Sequence, residues 1–329
     1  MKEEFLPYFC CPNCQSDLSL SISEREGNEV KEGNMYCRSC DISFAIRNHI
    51  PRFIQSVRSD KIKTAQAFGY EWKEFNELSG HYRQQFLDWI HPITPDNFRD
   101  KIVLDAGCGK GRHMYWSQKF GAKMVFGIDL SDAVDVAYKN TKNFNNVCII
   151  QADIYHLPLK PIFDFIYSIG VLHHLPYPAS GFNSLVNKLK TSGQIAVWIY
   201  AREGNGWIVY AINPLRIFVT SKLSPTLTKY IAYVMTLVLY SVLRLIYKPV
   251  NRISLLKPLK KILFYNDYLS YISHFPFREV YSIVFDHLIA PTAYYIKKNE
   301  FESWFTKNNL QNAVITMHNN NSWRGSAKK

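Results

Sequence analysis

The stretch that decides the fold is VLDAGCGKGRH, residues 103–113, where a strand-like run passes directly into alternating glycines. Glycine has no Cβ atom, so a loop built from it lets the backbone approach a ligand closely. A dinucleotide-binding loop has the pattern G-x-G-x-x-G, but Arg112 occupies the third glycine position here. The loop instead has three glycines at strict alternation, Gly107, Gly109 and Gly111, which favours a different ligand.

The loop resembles the first motif of class I S-adenosylmethionine-dependent methyltransferases, of the type 11 and quinone-biosynthesis kind. The resemblance implies that the glycines and Asp105 hold the amino-acid end of the cofactor. Asp129, 24 residues further on, would accept hydrogen bonds from the ribose hydroxyls. Asp153 would bind the adenine amino group with Ile154 beside the ring, and Ser168 completes the predicted cofactor-binding set. The open alternative for Asp129 and Asp153 is that each caps a helix.

Strands and helices alternate after residue 101, which predicts an α/β fold with a parallel, Rossmann-like methyltransferase sheet. The resemblance is strong over residues 101–200 and looser over 294–325. We therefore predict a methyltransferase domain at 101–329 with a helical cap insertion at 201–293. The preceding residues 57–100 form a predicted helical linker or lid. In the lid, Tyr70 and Trp72 are candidates to cover the cofactor, with core packing as the alternative.

Four of the seven cysteines form two C-x-x-C pairs, Cys11 with Cys14 and Cys37 with Cys40. Two such pairs can close a tetrahedral four-thiolate shell, which is typical of structural zinc. Four buried thiols or disulfides are the alternative interpretation. Residues 5–55 resemble the small zinc-binding proteins that activate several tRNA, rRNA and protein methyltransferases. The resemblance implies that a zinc-ribbon module at 1–56 docks on the methyltransferase domain of the same chain.

The stretch GVLHHLP after the fourth predicted strand resembles a feature of quinone-biosynthesis methyltransferases, and His173 in it is the candidate catalytic residue. Its imidazole could orient the acceptor or take its proton, although a histidine here can also be a packed polar residue. Ser168 stands where methyltransferases of planar amino groups have Asn or Asp before Pro-Pro-Tyr, and no cysteine is placed for covalent attack on a pyrimidine. These absences favour an oxygen or carbon acceptor on a small or lipid-linked molecule.

The net charge of +12 comes mostly from residues 204–266, which contain nine Lys or Arg and no Asp or Glu. The segment is also apolar: residues 230–243 are uncharged but too short to span a bilayer. A cap helix with solvated lysines is the first interpretation, and peripheral contact with an anionic membrane is the second. RNA binding ranks third, because long aliphatic stretches separate the basic residues.

The sequence thus predicts a methyltransferase that uses S-adenosylmethionine and contains structural zinc. We expect its acceptor to be a small or lipid-linked molecule, with nucleic acid a less favoured partner. An RNA methyltransferase and a non-catalytic cofactor-binding scaffold are the alternatives. The chain has no apolar signal region at its start and no long uncharged apolar window, so we expect a cytoplasmic protein with membrane contact at most at its surface.

Overall fold

A computed structural model describes residues 1–54 and 59–329, and the predicted domain boundary at residues 56 and 57 lies outside them. The described residues form a single sheet of eleven strands. The strands are β1 Ser19–Glu26, β2 Glu29–Cys37, β3 Ile42–Arg47, β4 Ile50–Phe53, β5 Ile102–Ala106, β6 Met124–Asp129, β7 Val147–Ala152, β8 Phe163–Ile169, β9 Leu189–Tyr200, β10 Gln311–His318 and β11 Ser322–Lys328.

Helices cover the sheet and build a separate layer after β9. They are α1 Ser59–Glu74, α2 Tyr82–Ile90, α3 Arg112–Lys119, α4 Ala133–Thr141, α5 Pro178–Val186, α6 Asn213–Phe218, α7 Pro225–Val242, α8 Lys248–Arg252, α9 Asn266–Ile272, α10 Phe277–Ile289 and α11 Lys298–Lys307. A π-helical turn, Leu243–Tyr247, joins α7 to α8 without a break.

The core of the sheet has the predicted parallel arrangement. The strand order is β1-β2-β3-β4-β7-β6-β5-β8-β9-β11-β10, and the strands from β4 through β7, β6, β5 and β8 to β9 are parallel neighbours. Antiparallel β11 lies between β9 and β10. All five residues of β5 are buried, as expected for a strand covered on both faces. The predicted Rossmann-like fold is confirmed, and ligands of such sheets bind at the carboxyl ends of the strands.

The N-terminal strands extend this sheet. Strands β1 to β4 form an antiparallel meander, and β4 then pairs in parallel with β7, Arg52 opposite Gln151 and Phe53 opposite Ala152. The Arg52 guanidinium donates to Gln151 Oε1 and to Asp135 Oδ1, each at 2.7 Å. The N-terminal segment and the methyltransferase core therefore share one hydrogen-bonded sheet.

Aromatic side chains fill the junction between the two parts. The Phe53 ring lies 4.6 Å from the Phe44 ring and 5.8 Å from the Phe9 ring, with which it is stacked. Phe5 packs edge-on against Phe126 of β6 at 5.5 Å. These residues belong to one continuous buried cluster, so the N-terminal segment contributes directly to the main core.

The residues between β9 and α11 form the predicted helical cap. Helices α7 and α10 pack against each other and α10 packs on α1, with Phe75, Ala232 and Phe285 buried between them. Helix α1, in the predicted lid, also packs on α4, so it lies between the cap and a helix that covers the sheet. Tyr70 and Trp72, the two residues predicted to cover the cofactor, both lie on α1.

The continuous helix Pro225–Arg252 is long and apolar enough to cross a membrane, whereas the sequence predicted no such window. The difference arises because the helix continues past Leu243 through the π-helical turn. A window long enough to cross a membrane then exists if one or two charged residues are accepted in it, whereas the sequence prediction required an uncharged window. Core helices of soluble proteins meet the same length and composition. This one helix therefore gives little support for membrane association.

The Phe53 side chain should contribute strongly to stability, because it is 5% exposed at the junction. We expect Phe53→Ala to lower the free energy of unfolding by about 3–5 kcal/mol. The adjacent Ile54 is 42% exposed, so Ile54→Ala should change it by no more than about 0.5 kcal/mol. Denaturant titration measures both. Equal losses in the two variants would contradict the described packing.

Candidate active site

The glycine loop lies between β5 and α3, at the carboxyl edge of the sheet. Gly107 has φ +90°, and a Cβ atom there would lie 2.2 Å from Val171. At Gly109, with φ +50°, a Cβ atom would lie 2.8 Å from the indole nitrogen of Trp72. Any larger residue at either position would displace these side chains. The two glycines and Trp72 line one large cavity of about 220 Å³.

Asp129 lies at the end of β6 and lines this cavity. Its Oδ2 accepts from the Gly109 backbone N–H at 2.9 Å, and its Oδ1 accepts from the N–H and hydroxyl of Ser131 at 2.8 and 2.6 Å. Burial raises the pKa of Asp129, and these hydrogen bonds oppose the rise. Asp129 thus holds the Gly109 N–H of the glycine loop and also lines the cavity. Its hydrogen bonds to Ser131 at the start of the next helical segment are therefore compatible with ligand binding.

Asp153 and Ile154 follow β7 and also line the cavity. Asp153 Oδ1 accepts from the Tyr155 N–H at 3.1 Å, which caps a short 3-10 turn as the alternative interpretation proposed. Its Oδ2 lies 2.6 Å from Lys61 Nζ on α1. The lid helix is therefore tied by an ion pair to a residue predicted to bind adenine.

Three predicted cofactor residues lie behind the cavity wall. Asp105 is fully buried without a hydrogen-bond partner for either oxygen, and burial raises its pKa well above the usual range. The Ser168 hydroxyl donates to the Ala106 carbonyl at 2.8 Å. Gly111, with φ +79°, precedes α3 and packs against Ala137. Their positions favour supporting the loop over contacting a ligand.

The two histidines after β8 have different environments. His173 is completely buried, neither ring nitrogen has a hydrogen-bond partner, and its ring packs 4.1 Å from that of Tyr200. His174 lines the cavity, and its Nδ1 lies 2.5 Å from the carbonyl oxygen of Thr292. A carbonyl only accepts, so Nδ1 carries the proton and Nε2 keeps its lone pair. Sequence reasoning selected the first histidine, whereas the second one lies at the cavity.

The cap supplies a wall that no sequence motif indicated. Its aromatic members are Tyr265, Tyr268 and Tyr271, and its polar members include Ser282, Asp286 and His287. From the lid, Glu71 and Phe68 also line the cavity. Residues 201–293 match no motif, although Asp286 and His287 stand in the sequence where methyltransferases of this architecture often close over the acceptor.

The four predicted zinc ligands converge near the N-terminus. The Sγ atoms of Cys11, Cys14, Cys37 and Cys40 all lie within 4.8 Å of one another, and all four cysteines are free thiols. Cys14 and Cys37 Sγ are 3.5 Å apart, and Cys11 and Cys40 Sγ are 3.9 Å apart. Tetrahedral zinc with bonds of about 2.3 Å needs sulfur atoms roughly 3.8 Å apart. The donor set therefore fits a zinc ion.

Residues 104–197 match the family model described as "Methyltransferase domain". This segment is a methyltransferase domain. The predicted S-adenosylmethionine-dependent methyltransferase is thereby confirmed at the level of the domain that contains the glycine loop, Asp129 and Asp153. The matched residues run from β5 to β9 and leave out both the cysteine-rich segment and the cap.

Several curated relatives are named tRNA U34 carboxymethyltransferase. The protein from Pseudoalteromonas atlantica is 33% identical over 112 residues, which are 33% of this chain and 35% of the relative. The one from Psychromonas ingrahamii is 30% identical over 147 residues, 39% of this chain and 44% of the relative. The aligned part thus spans less than half the length of these relatives.

Solved structures also resemble the chain. A putative S-adenosylmethionine-dependent methyltransferase from Listeria monocytogenes is 26% identical, with 41% of this chain and 56% of that chain covered and a TM-score of 0.30. Magnesium protoporphyrin IX methyltransferase from Synechocystis PCC 6803, with bound SAH, is 14% identical. The alignment covers 82% of this chain and 100% of that chain, with a TM-score of 0.47.

The relatives correct two predictions. The expected small-molecule or lipid-linked acceptor is wrong, because the curated relatives are named for a tRNA substrate. The low rank given to nucleic acid as a partner is wrong for the same reason. The acceptor error came from the absences after the fourth strand, which do not exclude other acceptor atoms on RNA. The partner error came from weighing the aliphatic spacing of the basic residues above their number.

The position of Asp129 generates a binding prediction. Removing its carboxylate should weaken S-adenosylhomocysteine binding at least about tenfold, because the predicted bonds to two ribose hydroxyls and the bond to the Gly109 N–H are lost together. Isothermal titration calorimetry of Asp129→Ala measures this. Asp96→Ala is the control, since that side chain is 86% exposed. Unchanged affinity in Asp129→Ala would remove Asp129 from the site.

Proposed function

We propose that the protein is an S-adenosylmethionine-dependent methyltransferase that modifies tRNA. The observation that carries the proposal is a methyltransferase cavity with an aromatic wall in a chain related to tRNA-modifying enzymes. The cavity adjoins a basic surface formed by Lys257, Lys260 and Lys261. We also propose a cytoplasmic location for the protein, where tRNA substrates are present. A base in tRNA must leave its stack to enter such a cavity, and aromatic walls stabilise an unstacked base.

The donor half of the cavity is assigned to the residues at the carboxyl ends of β5 to β7. Gly107 and Gly109 would pass close to the amino-acid end of the cofactor, Asp129 would accept from the ribose hydroxyls, and Asp153 would accept from the adenine amino group. A carboxylate has about four acceptor positions. Asp129 uses three of them for Gly109 and Ser131. Asp153 uses two for Tyr155 and Lys61, so at least one position on each carboxylate is left for the cofactor.

Bound S-adenosylmethionine supplies a methyl group on a positively charged sulfur, so the chain contributes mainly alignment and exclusion of water. His174 is the residue we propose to accept the acceptor's proton, in place of His173. The Thr292 carbonyl fixes its tautomer with Nε2 unprotonated. Burial lowers the pKa of His174, and the nearby charge of Asp286 partly opposes this. The imidazole is therefore neutral at physiological pH and able to take a proton.

The basic surface adjoins the cavity at one point. Lys260 lines a depression that shares Tyr265 and Asn319 with the cavity wall. Lys257 and Lys261 are exposed on the same short 3-10 helix, Ser254–Lys261. We propose that these lysines contact phosphates on either side of the base that enters, because phosphate contacts position nucleic acids without reading sequence.

Changing Lys257, Lys260 and Lys261 together to Gln should weaken tRNA binding and leave S-adenosylhomocysteine affinity unchanged. Each lysine that contacts a phosphate should add about 0.7–0.9 to the magnitude of the slope of log affinity against log salt concentration. Filter binding to bulk tRNA across a salt series measures the slope. The triple variant should therefore have a shallower slope than the unaltered protein.

The matched control removes three positive charges from the opposite edge of the sheet. Lys123, Lys139 and Lys142 are exposed and precede β6 or β7 in the chain. Their change to Gln alters net charge equally but should leave the salt slope nearly unchanged. Equal slopes in both triple variants would contradict the assigned surface, and no detectable tRNA binding by the unaltered protein would contradict the proposed function.

We also propose that the four-cysteine cluster holds a structural zinc ion. Cys37 ends β2 and Cys40 precedes β3, while Cys11 and Cys14 follow the segment that inserts Phe9 into the core. A closed thiolate shell leaves no position for substrate, so the ion would act on folding alone. It would fix the start of the meander that ends in β4, which pairs with β7.

Purified protein should contain about one zinc ion per chain, and Cys37→Ser should lower both the zinc content and the melting temperature. Cys10→Ser is the control: Cys10 lies beside the cluster but its Sγ contacts Gln15 Oε1 at 3.4 Å, so zinc content should be retained. Atomic absorption and thermal unfolding measure the two quantities. A folded protein without metal would contradict the zinc assignment.

A further inference from the structure

Two carboxyl side chains line the cavity from segments that lie outside the matched methyltransferase domain. Glu71 comes from the lid helix α1, and Asp286 comes from the cap helix α10. Both line the same cavity as Gly107 and Asp129. Helices α1 and α10 pack directly against each other, so the two residues are held by a common interface.

Glu71 is 1% exposed and only half satisfied. Its Oε1 accepts from the Ser282 hydroxyl at 3.1 Å, whereas its Oε2 is buried without a hydrogen-bond partner. Burial raises the pKa of Glu71 well above its usual range, and the charge of Asp286 adds to the rise. The raised pKa favours the protonated carboxyl group, whose O–H would have no acceptor within the described protein. A buried donor of this kind is costly unless a ligand completes it.

Asp286 is the complementary acceptor. Its Oδ2 accepts from the Tyr200 hydroxyl at 3.1 Å. Burial raises the pKa of Tyr200 well above its usual range, and so does the charge of Asp286, so the phenol stays protonated and continues to donate. One hydrogen bond leaves most acceptor positions of a carboxylate unused. The half-buried Asp286 therefore presents a charged acceptor to the cavity.

A protonated carboxyl group and a carboxylate that line one cavity offer it one hydrogen-bond donor and one acceptor. The hydrogen-bonding edge of a uracil base has the opposite pattern, an imide N3–H between two carbonyl oxygens. Enzymes that act on an extruded base read it through this edge. The rings of Tyr295 and His287, which stack on Tyr200 at 5.5 and 5.8 Å, add aromatic surface beside the pair.

We propose that Glu71 and Asp286 form the binding site for the imide edge of a uracil acceptor base, with Asp286 accepting from N3–H and Glu71 donating to a carbonyl oxygen. The inference rests on the proposed tRNA substrate and adds the residues that select the base. Tyr200 and Ser282 are positioning residues, since each acts through the carboxyl group that it holds.

The test compares three RNA stem-loops that differ at one unpaired loop position: uridine, 3-methyluridine, or an abasic site. The methyl group on N3 removes the donor that Asp286 would accept. We expect 3-methyluridine to bind about tenfold more weakly than uridine, close to the abasic RNA, because a well-placed hydrogen-bonded pair discriminates by at least this factor. Equilibrium fluorescence anisotropy with saturating S-adenosylhomocysteine measures the affinities.

Variants assign the effect to the pair. Asp286→Ala should bind uridine and 3-methyluridine RNA equally, whereas Asp96→Asn, at an exposed position outside the cap, should keep the tenfold preference. Glu71→Gln retains a donor and should lose less affinity for uridine RNA than Glu71→Leu, which retains none. Each variant counts as folded if its affinity for S-adenosylhomocysteine is near that of the unaltered protein. If Asp286→Ala does not fold, the two Glu71 variants test the site.

The outcomes separate this inference from the proposed function. Equal binding of uridine and 3-methyluridine RNA by the unaltered protein would overturn the inference while leaving the tRNA substrate standing. A tenfold preference that survives in both Asp286→Ala and Glu71→Leu would overturn the assignment to this pair. Failure of all three RNAs to bind would overturn the proposed function and the inference together.

Discussion

The contact between the bare glycine loop and the indole of Trp72 is the constraint on which the rest of the site depends. With no side chain at Gly109, the indole nitrogen approaches within 2.8 Å of where a Cβ atom would lie. The same ring lies 5.2 Å from Lys110 Nζ and 5.2 Å from the Arg112 guanidinium carbon, within range of cation–π attraction. The loop thereby fixes α1, and α1 in turn carries Glu71 and Lys61 to the cavity.

The second constraint is that the cysteine-rich segment and the catalytic core share backbone hydrogen bonds. Strand β4 contributes only two registered pairs with β7, yet Phe53, Phe44 and Phe9 bury the junction and Arg52 bonds across it. Since β7 leads directly into Asp153, the order of that carboxylate depends on a segment whose own order would depend on four thiolates. With the proposed zinc and cofactor assignments, metal ligation and cofactor binding would be connected through one strand.

Sequence reasoning located the residues whose grouping is local in the chain. The glycine loop and the acids at β6 and β7 line one cavity, and the two C-x-x-C pairs converge, because each lies within a short stretch whose spacing has a physical meaning. It could not separate the two histidines, because adjacent residues in a 3-10 turn point in different directions and only the fold shows that His173 packs on Tyr200. It also could not pair Glu71 with Asp286, since they are 215 positions apart in the chain and line one cavity only in the folded protein.

The continuous sheet also has a consequence for stoichiometry. Small zinc-binding activators of the kind that residues 5–55 resemble are separate chains, so their association depends on the concentration of both chains. Here β4 and β7 belong to one polypeptide, so their pairing is intramolecular and its effective concentration is set by the connection between the modules. The ratio of the two parts is fixed at one to one when the chain is made. Neither excess synthesis of one part nor dilution of the cell extract can leave the methyltransferase domain without its companion.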